Sequence, residues 1–309
     1  MKKINLIPFL LVWSSMAIAQ DYIDLAKFDY AITPANTFDS AAATTTLREI
    51  NGDLTVPIVI NDSFTFLTGI TYDNIFASFD PDRKEESLTG VTLKLGANVK
   101  HNSKWSGTYM LLPKISSDFK FISNRDFQLG AVVLMKYIKT DHFNYKFGVY
   151  GNTELFGPFI VPIFGFYHLN PSEKFEAKVL LPLSVDLNYS MTKSVRFGLN
   201  FKGQIRSYNV NTTVGAEADR YLVKSANDVY TYLQYGTKNG LNFQLGVGRS
   251  VGRLYRMYND KVSLALPLFY FGDNRTQVNT DFSDSWLLKL SVFYRFKIGE
   301  TASKKTNNK

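Results

Sequence analysis

Residues 285–298 read SWLLKLSVFYRFKI. Every second residue from Trp286 (Leu288, Leu290, Val292, Tyr294, Phe296 and Ile298) is apolar or aromatic. Between them stand Leu287, Lys289, Ser291, Phe293, Arg295 and Lys297, which are mostly polar. Successive side chains of a strand point to opposite faces, so this stretch has one greasy face and one wet face. It is far longer than the ordinary strand of about 5–6 residues. Cations on one face, with aromatics at both ends of the other, are the marks of a strand that crosses a membrane in a β-barrel.

The rest of the chain repeats the pattern. Residues 194–206 set Val195, Phe197, Leu199, Phe201, Gly203 and Ile205 against Arg196, Asn200, Lys202, Gln204 and Arg206. Residues 88–100 set Val91, Leu93, Leu95, Ala97 and Val99 against Thr92, Lys94, Asn98 and Lys100. Residues 144–152 and 241–251 alternate too, with Lys146 and Gln244 on their polar faces. Further strands are predicted at 24–33 (weakly alternating), 46–60, 63–79, 105–116 (interrupted by Pro113), 127–140, 159–169, 175–189 and 228–236. Pro182 cannot donate to a sheet ladder, so a tight bend is predicted inside 175–189. No 20–50-residue repeat, heptad pattern or long amphipathic helix appears, and strands at hairpin spacing read as all-β.

The turns divide by length. Asn61-Asp62, 101–104, 140–142, 170–173, 190–193 and 237–240 are short. Residues 34–45, 80–87, 117–125, 207–227 and 252–284 are long. Short turns at one end and long loops at the other belong to membrane barrels. With 156–158 and 180–183 counted among the outer loops, the chain has 14 strands and both termini on the short-turn side. If Pro182 leaves its strand unbroken, 12 strands fit better. A soluble periplasmic sandwich would alternate as well, but segments of 11–16 residues match a tilted membrane strand, which needs about 9–11 in the bilayer.

Composition agrees. Of 309 residues, 15% are aromatic, with 25 Phe and 18 Tyr, which suits strands and membrane interfaces. Cys is absent, which excludes disulfides, thiolate metal sites, a thiol nucleophile and a lipidated Cys. The net charge of +8 is spread along the chain rather than clustered, so nucleic acid is not an expected partner. At the N-terminus, Lys2 and Lys3 precede a short apolar run and an Ala17-Ile18-Ala19 site. This predicts a signal peptide over 1–19, cleaved after Ala19. The barrel is expected over 20–298, with a disordered basic tail over 299–309.

Leu181-Pro182-Leu183, the stretch GRSVGRLYRMYND at 248–260, DNRTQVNTDF at 273–282 and the closing Tyr294-Arg295-Phe296 resemble the uncharacterised outer-membrane β-barrel families of Bacteroidota. The resemblance implies an outer-membrane location and insertion by the barrel-assembly machinery. It carries no assigned activity. The chain departs from the pattern in that Phe296 is followed by 13 further residues.

Chemistry is sparse. His101, His142 and His168 all fall at or beside short turns, where solvated histidines are usual, so no catalytic residue is assigned. No H-E-x-x-H or Cys/His cluster is present, and no metal or cofactor is expected. Gly246 and Gly248 lie within a strand and form no phosphate loop. Asp80, Asp82, Glu85 and Glu86, like Asp273, Asp281 and Asp284, read as solvated loop acids. The lumen-facing candidates are Lys94, Asn98, Lys146, Arg196, Lys202, Gln204, Arg206, Gln244, Lys289 and Arg295. On these faces cations outnumber acids, which in an open path favours anions. The expected function is a small channel or transporter for polar or anionic solutes. The alternative is a non-conducting structural or surface barrel filled by its own side chains. Expected partners are outer-membrane lipid and lipopolysaccharide; Arg249, Arg253 and Arg256, near the outer rim, are read either as contacts to lipopolysaccharide phosphates or as exposed solubilising charge.

Overall fold

The computed structural model describes residues 22–211 and 220–297. The predicted signal peptide and basic tail lie outside the described residues. Thirteen consecutive strands run from the start of the described chain: β1 (Tyr22–Thr37), β2 (Thr44–Asn61), β3 (Phe64–Ala77), β4 (Glu86–Lys100), β5 (Trp105–Ser117), β6 (Phe127–Thr140), β7 (Phe143–Glu154), β8 (Gly157–Leu169), β9 (Phe175–Leu181), β10 (Ser184–Ser190), β11 (Val195–Asn209), β12 (Tyr221–Gly236) and β13 (Leu241–Tyr258). Two short strands follow, β14 (Leu264–Ala265) and β15 (Tyr270–Phe271), and then the closing β16 (Trp286–Lys297). β1–β13 and β16 form a closed antiparallel barrel of 14 strands, sealed where β16 pairs with both β1 and β13 and where β8 pairs with β9. The count of 14 holds because Pro182 does end a strand. It sits with Leu183 in the tight turn between β9 and β10, where Leu183 N donates to Leu180 O at 2.8 Å.

Pro113 does not interrupt its strand. It lies inside β5, where the β4–β5 register skips from Leu95↔Leu111 to Thr92↔Lys114, and the gap absorbs the missing donor. The larger difference concerns length. β1, β11, β12 and β13 run well beyond their predicted ends at the long-loop side, so residues read as loop are paired backbone.

The exterior is the greasy face. Phe28, Leu54, Ile70, Leu93, Leu111, Leu129, Phe147, Leu199, Leu233, Leu245, Leu288 and Leu290 are all exposed around the ring. A belt this wide is far larger than the apolar patches of soluble monomers. Closure leaves no free edge over most of the wall, which satisfies the backbone without water. On β16, Leu287, Lys289, Ser291 and Phe293 are buried, whereas Trp286, Leu288, Leu290 and Tyr294 are exposed.

Candidate functional site in the barrel lumen

The interior is ordered in tiers. At the short-turn end Tyr22 OH donates to Glu176, 2.8 and 2.7 Å from its two carboxylate oxygens, which joins β1 to β9 across the ring. Glu176 also accepts from Asn188 at 3.0 Å and pairs with Lys178 at 3.4 Å and Arg196 at 3.8 Å. The Arg295 guanidinium lies 3.7 Å from the Tyr22 ring centroid and grips Asp24 with two bonds of 2.7 and 3.1 Å. Higher up, Asp29 holds Lys289 at 3.2 Å and Lys27 at 3.5 Å, and Asp186 accepts from Tyr232 at 2.9 Å and Asn200 at 3.0 Å.

Toward the long-loop end the contacts span the lumen. Arg206 on β11 pairs with Asp73 on β3, and Tyr208 OH donates to the same carboxylate at 2.5 Å. Lys224 on β12 meets Glu49 on β2 at 2.6 Å, with Tyr255 OH donating to Glu49 at 2.7 Å. Glu154 on β7 accepts from Ser207 N at 2.8 Å, from Ser207 Oγ at 2.5 Å and from Lys114 at 3.1 Å.

These contacts exist because β11 leaves the wall. β10 pairs with β11 only as far as Lys202, since the β9–β10 hairpin stops at Pro182. Past that point β11 bends inward with β12 still attached, and Asn209 forms a parallel bridge with Ser117 on the far wall. Asp118 N donates to Asn209 O at 3.0 Å. Residues 207–211 and 221–224 are buried on both faces. One face (Tyr208, Val210, Leu222) packs with Phe38, Leu47, Ile75, Phe79, Tyr255, Met257 and Phe282. The other (Tyr221, Val223) packs with Leu155, Phe156, Phe159, Val161 and Ile163. The lumen therefore holds the paired inner ends of β11 and β12, with β13 alongside β12 as far as Tyr221↔Tyr258, as a divider with an apolar cluster on each side.

The sequence-derived lumen candidates fall as follows. Lys94 bonds Asp53 at 2.5 Å and Thr55 at 2.9 Å, and Asn98 bonds Thr108 at 2.8 Å. Arg196, Arg206, Lys289 and Arg295 have the carboxylate partners given above. Gln244 is buried, and Gln204 and Lys202 are half-buried. Lys146 stands directly opposite Lys136 in the β6–β7 register, and neither has a carboxylate partner among the described residues. Arg253, read as a rim cation, is instead buried and bonds Thr33 at 2.9 Å, Asn36 and Ser283 O, because β13 extends inward with β12. Arg256 is held by Asp281 at 2.6 Å, whereas Arg249 is exposed.

The acids Asp29, Glu49, Asp73, Glu154 and Glu176 are missing from the sequence-derived set. Each is a carboxylate at an inward position of a strand, alone on β3, β7 and β9 and one of two on β1 and β2, and that parity is the signal that identifies them. Of the loop acids, Asp80 accepts from Asp82 N at 3.1 Å and Asp284 from Gly252 N and Arg253 N at 2.8 and 3.0 Å, while others meet cations. Glu85 pairs with Arg48 at 2.8 Å, Lys120 lies 3.3 Å from Asp118 and 3.9 Å from Glu86, and Asp273 pairs with Arg275 at 2.8 Å. Among the described residues no cluster of three or more His, Asp or Glu side chains is placed to hold a metal ion. His101 bonds Tyr109 OH at 2.9 Å in an exposed turn, His142 is exposed, and His168 packs on Phe143.

A family model described as a domain of unknown function, DUF6268, matches residues 12–297. No curated protein matches the chain. Similar solved structures include an outer membrane channel from Pseudomonas putida F1, at 9% identity and TM-score 0.44, covering 89% of this chain and 95% of that one. The P. putida toluene transporter TodX matches at 8% identity and TM-score 0.39, covering 88% and 89%. The beta domain of the Bordetella autotransporter BrkA matches at 7% identity and TM-score 0.29, covering 89% and 100%.

Proposed function

The chain belongs to the DUF6268 family of unknown function, and from its lumen we propose an outer-membrane β-barrel that stands closed to ions and small solutes, acting as a structural or surface-interaction barrel rather than an open pore. The observation that carries this reading is the β11–β12 divider, bonded to the opposite wall at Ser117 and Glu154. A ring of 14 strands is wider than side chains alone fill, and here a sheet, two apolar clusters and cross-lumen ion pairs occupy it. The exposed apolar belt supports a bilayer location. The N-terminal Lys2-Lys3, apolar run and Ala17-Ile18-Ala19 support export and cleavage after Ala19 on the way to the bacterial outer membrane, and the resemblance carried by Leu181-Pro182-Leu183 and 248–260 supports a Bacteroidota source. Insertion by the barrel-assembly machinery and contact with lipopolysaccharide belong to the same proposal. No reaction is proposed.

Folded protein in a planar lipid bilayer tests it. The expected record is flat at 100 mV in molar salt. Sustained, stepwise conductance from the native chain would refute the closed reading.

One observation favours a second reading, a path for polar or anionic solutes. Lys136 and Lys146 face each other without a carboxylate, and unpaired fixed cations beside a lumen attract anions. If conductance is found, Lys136→Gln with Lys146→Gln lowers anion preference. Unchanged selectivity would remove these lysines from the path.

A further inference from the structure

β9 and β10 have only 7 residues each, fewer than the ~9–11 that a membrane strand needs. Above their turn the wall has a notch. β8 pairs with β9 only from Phe164 onward, which leaves the segment from Gly157 to Ile163 with one free edge. Pro158 and Pro162 fall within this open segment, and proline is a usual guard of unpaired strand edges. A bare strand edge in hydrocarbon is costly because its backbone groups lack partners.

The loop between β13 and β16 covers this edge. Val262 N donates to Phe156 O at 2.7 Å, and Ala265 bridges Phe159 in parallel. β14 and β15 then form a small hairpin, closed by Leu266 N to Phe269 O at 2.8 Å. Ala265 is fully buried beside the inward Phe159, so by alternation Leu264 and Leu266 share the outward side with Ile160. The hairpin tip is apolar and bare: Leu268 is 83% exposed and Phe269 62%, with Tyr270 and Phe271 also exposed. This surface continues the belt formed by Ile160, Phe164 and Leu181.

We propose that the 264–271 hairpin is a membrane-inserted part of the wall, its Leu268 and Phe269 side chains seated among the acyl chains of the adjacent leaflet, rather than a water-exposed loop. The occupant of this apolar surface is lipid. The proposal rests on the bilayer reading above.

The chain has no Cys, so single nitroxide labels test it directly. Leu268→Cys and Phe269→Cys are compared with Leu245→Cys on the belt and Asn274→Cys in the loop, each in phosphatidylcholine vesicles. Accessibility to oxygen and to a polar nickel chelate is read by power saturation, and heat-modifiable migration shows that each variant is folded. Labels at 268 and 269 are expected to lie nearer the Leu245 value, favouring oxygen by about an order of magnitude over the Asn274 site. Values nearer Asn274 overturn the proposal. A water-like Leu245 label would instead refute the bilayer reading itself.

Discussion

Lys224 Nζ on β12 stands 2.6 Å from Glu49 Oε2 on β2, two residues that meet only because the β11–β12 hairpin enters the lumen. Both side chains are almost wholly buried, and Tyr255 OH completes the carboxylate's shell. Removing one partner of a buried pair strands the other charge and costs about 3–5 kcal/mol, whereas replacing both with apolar groups is far milder. Lys224→Met alone should lower the urea midpoint sharply, followed by loss of the folded band on an unboiled gel. Lys224→Met with Glu49→Leu should recover most of that loss. A double variant as unstable as the sum of the singles would show that the two residues do not interact.

The bridge between Asn209 and Ser117 offers a direct trap for the divider. Neighbouring strands lie about 4.8 Å apart, within the Cα separation of about 4.4–6.8 Å that a disulfide requires. Asn209→Cys with Ser117→Cys should therefore cross-link under mild oxidation in a chain that has no other thiol. The control pair of Asn209→Cys with Ser106→Cys, at the far end of β5, should not. If the first pair stays reduced, the hairpin does not cross the lumen.

The barrel was legible in the sequence because lipid leaves half of each strand no choice. Val195 through Ile205 and Trp286 through Ile298 must alternate, and the short turns mark one end. The divider was not legible for the same reason in reverse. There the alternation reverses phase: Ser207, Asn209 and Asn211 are polar and Tyr208 and Val210 apolar, opposite to Val195 through Ile205, so the lipid-facing run reads as ended and these residues look like loop. Their polarity is met by Glu154, Asp126, Ser117 and Asp118 instead of water. Lumen cations such as Lys94 and Arg295 were visible from strand parity. Their partners on β1, β2 and β3 were not, because pairing across a ring depends on three-dimensional closure.

Gly198 on β11 faces Tyr232, its register partner on β12, and the ring lies where a Cβ would stand. Tyr232 is fixed there by its bond to Asp186. Gly198→Val should cost roughly 1–3 kcal/mol by overpacking, seen as a lower melting temperature of the folded band. Adding Tyr232→Ala should relieve much of the strain while still losing the Asp186 bond. If Gly198→Val alone melts like the native chain, the ring is free to move away.

Asp273 and Arg275 set a pH-sensitive clasp on the covering loop. Arg275 donates from Nε and Nη2 to the two Asp273 oxygens, both at 2.8 Å, while its guanidinium lies 4.4 Å from the Tyr258 ring centroid and 4.7 Å from that of Tyr270. These bonds hold the Asp273 carboxyl below its ordinary value. A depressed carboxyl contributes stability above its unfolded pKa of about 3.9 and loses it as pH falls through the folded value. A nitroxide at Thr276→Cys should therefore be restrained at pH 7 and gain mobility as the pH drops below about 4. Asp273→Asn should free the label already at pH 7 and flatten the profile. A label equally restrained at pH 3 and in Asp273→Asn would show that the aromatic rings, not the carboxylate, hold Arg275 in place.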